Sequence, residues 1–435
     1  MLLDARIIKP ARLSFSPAIP SQSSIQAYQG LRQFGPFDSS RVTLQPKSVL
    51  FVFPENLREL ARTLAMALLR GHRGFPGFGK MFRVPFANDQ VESLSVLGDF
   101  STPSAAARSY RQAITEWNSR SRPNDPKLAL VLVPHSERWE TDRPYYEAKA
   151  LFARLGIPTQ MVTSELMQDD REFGWSIANI ALAAFAKLGG VPWVVESPAG
   201  DHDLIIGVGR ADVRDPNSGV RRIFGYAMSF TSNGLYRQNW SFTPAATEDT
   251  YLDRLEEAIT GALTCAREAD ESFRRLVIHL GKKTGWKEAQ AATRALTTAR
   301  LDLPVAMLRL DDSSLYDIAD GRADTFAAPK GVAVRLGERK TLLQTEGLTA
   351  VGVPSGPLLI ELDERSDVDP AALDELVSQT FRLAQANWRA FNARSQPATL
   401  AYGEQLAQLV GYLEEVSTWD PGLLRSELRE RPWFL

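Results

Sequence analysis

Apolar and polar positions alternate along this chain in blocks that read as strands followed by helices. Ser48 to Phe53 is a short apolar run closed by Pro54, the mark of a buried strand. Glu55 to Arg70 then carries Leu57, Leu60, Leu64 and Leu68 at helical spacing. A Gly-rich turn intervenes, and a helix is predicted around Ala105 to Trp117, followed by a strand over Leu128 to Val133. Arg143 to Leu155 reads as a helix ended by Gly156, and Ile157 to Val162 as a strand. Trp175 to Leu188 reads as a helix stopped by Gly189-Gly190. Strands alternating with helices of this length imply a mostly parallel, doubly wound sheet.

The pattern changes after Pro192. Asp203 to Val213, Arg222 to Thr231 and Leu235 to Phe242 read as three consecutive strands joined by short turns, Ser232-Asn233-Gly234 among them. A helix follows over 249–267, with Leu252, Leu255, Ile259 and Leu263 on one face. Strand Leu276 to Leu280, helix Trp286 to Ala299 and strand Val305 to Leu310 come next. Antiparallel strands leading into β/α units are the order of an RNase H-like fold. The chain is thus read as α/β throughout: an extended, Pro- and Ser-rich segment or edge strand over 1–45, a Rossmann-like domain over 46–192 and an RNase H-like domain over 193–435.

At 435 residues the chain can hold two or three cores. Its single cysteine, Cys265, excludes an internal disulfide and fits a reducing compartment. No segment has the length and apolarity of a signal peptide or a membrane span, so a cytoplasmic location without membrane partners is expected. Fifty Lys and Arg stand against 52 Asp and Glu, for a net charge of −2. That balance argues mildly against a general nucleic-acid binder, but it leaves room for a local basic pocket.

Such a pocket is foreshadowed by four residues. Tyr145 and Lys149 are four apart and share a helix face, Gln160 lies in the next strand, and Lys187 closes the next helix. Ammonium groups, a phenol and an amide are what a phosphate monoester, with nearly two negative charges, needs around it. Singly, each lysine reads as a solvated helix residue and Tyr145 as a packing residue. The chain ends on Pro432-Trp433-Phe434-Leu435, apolar enough to be tucked inside, which would bury the α-carboxylate as well.

The segments Tyr145-Tyr146-Glu147-Ala148-Lys149, Thr159-Gln160-Met161 and Ala186-Lys187-Leu188-Gly189-Gly190-Val191-Pro192-Trp193, with the aromatic chain end, resemble the Argonaute family. The resemblance covers residues 25–435 and implies a MID domain followed by a PIWI domain. It further implies that Tyr145, Lys149, Gln160, Lys187 and Leu435 bind the 5′ phosphate of a guide strand. In relatives a Mg2+ at the guide 5′ end touches the terminal carboxylate, here that of Leu435, and a Gln helps to hold it; Ala183 stands at that Gln position.

Slicing relatives carry an acidic tetrad that holds two divalent ions about 3.5–4 Å apart. Its first acid ends an Ile-Gly-x-Asp string, where this chain has Ile206-Gly207-Val208-Gly209. The second follows a His, where Val277-Ile278-His279-Leu280-Gly281 has glycine, and the last falls on Ala401 after Pro397-Ala398-Thr399-Leu400. The resemblance therefore implies a PIWI domain that grips nucleic acid without cutting it. It points to a prokaryotic short Argonaute that loads a small guide, RNA or DNA, and recognises complementary single-stranded DNA. Such a subunit activates an APAZ-domain effector of sirtuin-like, TIR or nuclease type in defence against plasmids and phage. Lys282, Lys283, Arg389 and Arg394 are candidate contacts to the nucleic-acid backbone. A stand-alone guided nuclease with a relocated metal site is the alternative.

Other motifs weigh less. Gly74-Phe75-Pro76-Gly77-Phe78-Gly79-Lys80 has Walker A spacing, but Met81 replaces the Ser or Thr and a helix, not a strand, is expected before it. Glu361, Asp363, Glu364, Asp367 and Asp369 read as a solvated loop, Asp201-His202-Asp203 as a turn, and His279 as a packed or hydrogen-bonded residue.

Overall fold

Apolar runs seed the two main sheets of the computed structural model, which describes residues 4–120, 125–134, 143–215, 219–241, 248–268, 272–281, 285–349, 352–391 and 396–435. The chain forms two units. One comprises Met1–Ser14, Val194–Asn387 and Asn392–Gln408, the other Phe15–Trp193, Trp388–Phe391 and Leu409–Leu435.

The unit containing Phe15–Trp193 is built on four strands in the spatial order Val91–Val96, Val49–Pro54, Leu128–Val133, Thr159–Thr163, all parallel. Val49–Pro54 and Leu128–Val133 are central and buried along their whole length, which is why they are uninterrupted apolar runs. Helices Arg58–Arg70, Pro103–Ser119, Pro144–Arg154 and Asp170–Lys187 connect or follow them. Helix Pro144–Arg154 starts on a proline and is closed by Gly156, whose φ of 76° is open to glycine at little cost. Helix Asp170–Lys187 begins earlier than its apolar spacing suggests, because the Asp169 carboxylate accepts from the backbone N–H groups of Arg171 and Glu172.

Local pattern missed three elements here. The 1–45 segment is not extended throughout: Ala27–Phe34 is a helix, short and without a side-chain cap, held by burial of Leu31 and Ala27. The stretch read as a Gly-rich turn holds the helix Phe78–Phe82 and the edge strand Val91–Val96, in which only Leu94 and Val96 are buried. The Walker-like string is indeed preceded by helix Arg58–Arg70, so it lacks the strand that a phosphate-cradling loop requires.

The other unit contains a nine-stranded mixed sheet. Its order is Asp4–Ile7, Val332–Gly337, Lys340–Leu343, Leu358–Leu362, Val305–Asp311, Arg275–Leu280, Asp203–Asp215, Gly219–Thr231, Tyr236–Ser241. Arg275–Leu280 pairs parallel with both of its neighbours, and every other pairing is antiparallel. Helices Glu248–Glu268 and Trp286–Ala299 cover one face, packing Leu255, Ile259, Leu263, Ala291 and Ala295 against Leu204, Ile206, Leu276 and Ile278. Asp4–Ile7 is an exposed edge strand. That agrees with one of the two readings of the N-terminal segment.

Helix Ala398–Leu413 comes unusually close to strand Asp203–Asp215. A Cβ on Gly207 would lie 2.0 Å from the Thr399 carbonyl oxygen, and one on Gly209 would lie 2.0 Å from Gly403 C and 2.1 Å from Glu404 N. Glycine at both positions is thus a packing requirement, since real Cβ atoms meet rigid backbone no nearer than about 3 Å. Gly209→Ala should lower unfolding free energy by about 1–3 kcal/mol in a urea titration, the usual cost of overpacking. An unchanged midpoint would show that the helix does not sit so close.

Candidate nucleic-acid 5′-end site

Helix Pro144–Arg154 is pinned by its own carboxylate. Glu147, buried, takes a fork of two hydrogen bonds from Arg111 at 2.7 and 2.8 Å and one from Thr418 Oγ1 at 3.0 Å. Tyr146 stacks on Tyr412 at 5.0 Å. With the helix so held, Tyr145 and Lys149 share a different face, and the Lys149 ammonium lies 5.6 Å from the Tyr145 ring centroid, in cation–π range. Lys187, the last residue of helix Asp170–Lys187, reaches back to strand Thr159–Thr163. Its ammonium donates to the Thr159 carbonyl at 2.8 Å and to Gln160 Oε1 at 2.6 Å. The four residues singled out from sequence are therefore brought together.

What surrounds the two ammonium groups is unusual. Lys149 is 2% exposed and Lys187 0%. Among the described residues neither has an acidic partner, and Lys149 makes no hydrogen bond or ion pair. Burial pushes the Lys149 pKa down to about 7, helped by the positive field of Arg389. Burial likewise pulls Lys187 well below the usual lysine range, with Lys149 and Arg389 adding repulsion. Arg389, expected only as a backbone contact, thus belongs to the same cationic cluster. The adjacent Trp388 places it: its indole N–H donates to the Trp193 carbonyl at 3.1 Å, and its ring is buried.

The chain end is buried in the same unit. Trp433 and Phe434 are inside, Leu435 is 8% exposed, and Trp433 stacks on Trp419 at 6.5 Å. Arg431 Nε lies 3.5 Å from the position a Cβ on Gly189 would take, which puts the C-terminal segment against the end of helix Asp170–Lys187. The described hydrogen bonds of Lys187 go to Thr159 and Gln160, and no ion pair with the Leu435 carboxylate is among the described contacts. Ala183 offers no ligand atom, and Lys149, Lys187 and Arg389 would repel a cation. Lys282, Lys283 and Arg394 lie outside the described residues.

The other unit holds charges in the opposite manner. Asp201-His202-Asp203 is not a solvated turn: both aspartates are buried and, with Glu375, bring carboxylate oxygens within 4.8 Å of one another. That spacing could hold a metal ion, but three guanidinium groups already occupy it. Asp203 accepts from Arg274 at 2.8 Å, Arg275 at 2.5 Å and Gln379 at 2.8 Å. Arg275 also reaches Glu375 at 2.9 Å, and Arg382 pairs with Asp201. Desolvation raises the Asp201 pKa, and Arg382 offsets part of that. The signal available in sequence was Arg274-Arg275 entering an apolar strand next to the strand that Asp203 begins.

Around the glycines, His279 is fully buried with Nδ1 2.8 Å from Thr399 Oγ1, and burial pushes its pKa down to about 3. This is the packed, hydrogen-bonded residue that sequence reasoning expected. Glu404 was not singled out from sequence. Its Oε1 lies 3.6 Å from the position a Cβ on Gly281 would take, and burial, then Asp312, pushes its pKa up to about 7. The 361–369 acids serve the fold: Asp367 accepts from the Val305 N–H, Asp369 caps Ala371, and Glu361 pairs with Lys340.

Comparison with known proteins bears on the fold. Residues 130–285 match the Piwi domain family. The chain is 24% identical to an Argonaute protein of Cereibacter sphaeroides over 445 aligned positions, covering 95% of this chain and 57% of that protein. It is 25% identical to a Piwi protein of Archaeoglobus fulgidus over 315 positions, covering 67% and 71%. Among solved structures it resembles Clostridium butyricum Argonaute bound to a guide DNA and a 19-mer target DNA, with a TM-score of 0.71, 17% identity, and 96% and 54% coverage. Drosophila Piwi gives a TM-score of 0.71, 18% identity, and 99% and 56% coverage. The chain thus spans little more than half the length of most of these proteins, and its fold is the mixed α/β fold of Argonaute and Piwi structures with an RNase H-like Piwi domain.

Two outcomes follow from the charges. A lysine whose folded pKa is depressed releases its proton on folding, so the unfolded chain binds more protons between the folded value and 10.5. Stability of the ligand-free protein should therefore rise with pH from about 7 upward, by up to about 1.4 kcal/mol per pH unit per lysine. Lys149→Met should flatten that rise, as read from urea midpoints. In the other unit, Asp203→Ala should cost about 3–5 kcal/mol by leaving the buried Arg275 with only the half-exposed Glu375 as its partner. A loss below about 1 kcal/mol would mean that the network relaxes at little cost.

Proposed function

We propose that this Argonaute/Piwi-family protein is a guide-loading subunit that grips the 5′ phosphate of a small nucleic acid and pairs it with single-stranded DNA without cutting it. The observation that carries this reading is the pair of buried lysines with no acidic partner among the described residues. A folded protein does not keep two ammonium groups out of water without an anion to meet them, unless a ligand brings it. A terminal phosphate supplies the charge, Tyr145 and Gln160 the remaining hydrogen bonds, and Arg389 a third cation. The Leu435 carboxylate closes the pocket in this reading, and any Mg2+ there would have it and the guide phosphate as ligands, since Ala183 offers none. The segment over 46–192 is read as a MID domain and 193–435 as PIWI.

Support for a non-cutting PIWI domain comes from Gly209, Gly281 and Ala401, the positions that correspond to metal ligands in slicing relatives. At Gly209 the nearby helix backbone leaves no room even for a Cβ, so an aspartate there could not point at an ion. A sensor without its own cutting atoms needs an effector, which favours a cytoplasmic short Argonaute working with an APAZ partner of sirtuin-like, TIR or nuclease type in anti-plasmid or anti-phage defence. Base pairing would carry sequence recognition, the protein reading phosphate and shape.

Lys149→Ala and Lys187→Ala should each weaken a 5′-phosphorylated oligonucleotide about ten- to a hundredfold, from about 1.5–3 kcal/mol per charge-assisted contact. A 5′-hydroxyl oligonucleotide should be nearly unaffected. Equal losses for both would overturn the pocket. Incubation of guide-loaded wild-type protein with a labelled complementary strand and Mg2+ or Mn2+ should give no cleavage. Sequence-specific nicking would instead establish the stand-alone nuclease with a relocated metal site.

A further inference from the structure

We propose that loading of a 5′-phosphorylated strand is coupled to proton uptake: the empty pocket rests with at least one of Lys149 and Lys187 uncharged, and the incoming phosphate draws a proton from solvent onto it. This rests on the phosphate-binding reading above and adds its protonation chemistry.

The geometry shows why. The groups that the lysines are described as meeting are positive or neutral: Tyr145 from helix Pro144–Arg154, Thr159 and Gln160 from strand Thr159–Thr163, and Arg389 from the segment after Asn387, while the α-carboxylate of the buried Leu435 forms no described ion pair with either lysine. Each lysine lies in the field of the other and of Arg389, and both are out of water. Lys187 has two oxygen acceptors, whereas Lys149 has the Tyr145 ring face and no hydrogen-bond acceptor among the described residues. Two charged ammonium groups there would repel each other with nothing between them, so the pair gives up a proton as a unit. The value of about 7 for Lys149 is in keeping with that state. A phosphate dianion reverses the balance. It puts two negative charges among the ammonium groups, restores the charged form of both lysines, and so takes a proton from water or buffer: R–NH2 and H+ become R–NH3+.

The result is a pocket whose affinity depends on pH in a stated direction. Above about pH 7 the phosphate itself is already a dianion, its second pKa being about 6, and gives up no proton on binding. Uptake by lysine is then the dominant exchange, and affinity falls about tenfold per pH unit for each proton bound. Solutions that are slightly acidic favour loading, and alkaline ones release the strand.

The test is calorimetric titration of the full-length protein with a 5′-phosphorylated RNA oligonucleotide and its 5′-hydroxyl twin at about pH 8, in HEPES and in Tris, whose heats of ionisation differ. The slope of observed enthalpy against buffer ionisation enthalpy should report uptake of about one proton for the phosphorylated strand and about none for its twin. Lys149→Arg, which keeps a permanent charge, should lower the uptake, and Lys187→Arg should lower it where the proton resides there. Preferential binding of the phosphorylated strand with no dependence on buffer would overturn the coupling while leaving the phosphate pocket standing. Uptake unchanged in both variants would also overturn it. Equal affinity for the two strands would instead sink the phosphate pocket and the coupling with it. Should either variant fail to fold, the comparison between buffers on wild-type protein decides alone.

Discussion

An ammonium group out of water, with no anion beside it, is the constraint around which the 5′-end site is organised. Transfer of a lone charge into a protein interior is so unfavourable that the group ordinarily sheds its proton or finds a partner. Lys149 and Lys187 have been given neither an acid nor an exit to solvent. The rest of the unit keeps them there. Glu147 is committed to Arg111 and Thr418, so that turning toward Lys149 would break three hydrogen bonds. Trp388, fixed by the Trp193 carbonyl, commits Arg389 to the same cluster. Three basic side chains are thus brought to one place by contacts that have nothing to do with a ligand, the preorganisation that the proposed anion site needs.

The same reasoning reconciles an almost neutral chain with the nucleic-acid ligand proposed for it. A net charge of −2 describes the whole surface, whereas a buried cation acts at short range in a medium of low dielectric. Its effect on a phosphate a few ångströms away is far stronger than that of a solvated surface charge, and salt screens it less. The weak objection raised by composition therefore concerns extended electrostatic capture of duplex, and leaves end recognition untouched.

How far all this was legible in the sequence differs from feature to feature. Val49–Pro54, Leu128–Val133 and Arg275–Leu280 were plain, because a strand flanked on both sides must be apolar throughout. Tyr145 with Lys149 was plain as well, since helical spacing alone places them together. The strands Val332–Gly337, Lys340–Leu343 and Leu358–Leu362 left weaker marks, being short and in part half-exposed. Helix Ala27–Phe34 gains its stability from burial of Leu31, which no local window reveals. Long-range pairing was the least legible of all. Asp203 meets Arg275 and Gln379 across 72 and 176 positions, so an Asp-His-Asp triplet that looks like a turn became the centre of a buried network. Gly209 was seen as a missing ligand. Its second meaning, a contact with the backbone of Gly403 and Glu404, appears only when the helix is laid over the strand.

The two charge clusters, taken one at a time, also decide which is a binding site. Both bury titratable side chains, and both contain groups that could hold an ion. In one, three carboxylates meet three guanidinium groups and an amide, so that almost every oxygen has a donor and an incoming cation would have to displace an arginine. Such a network is complete, and its work is to fasten helix Leu373–Ala384 to the sheet. In the other, Lys149 and Lys187 lie in the field of Arg389, and the described acceptors of Lys187 are neutral. An interior that pairs Asp203 several times over yet leaves Lys149 with an aromatic face for company is the contrast on which the proposed anion site rests.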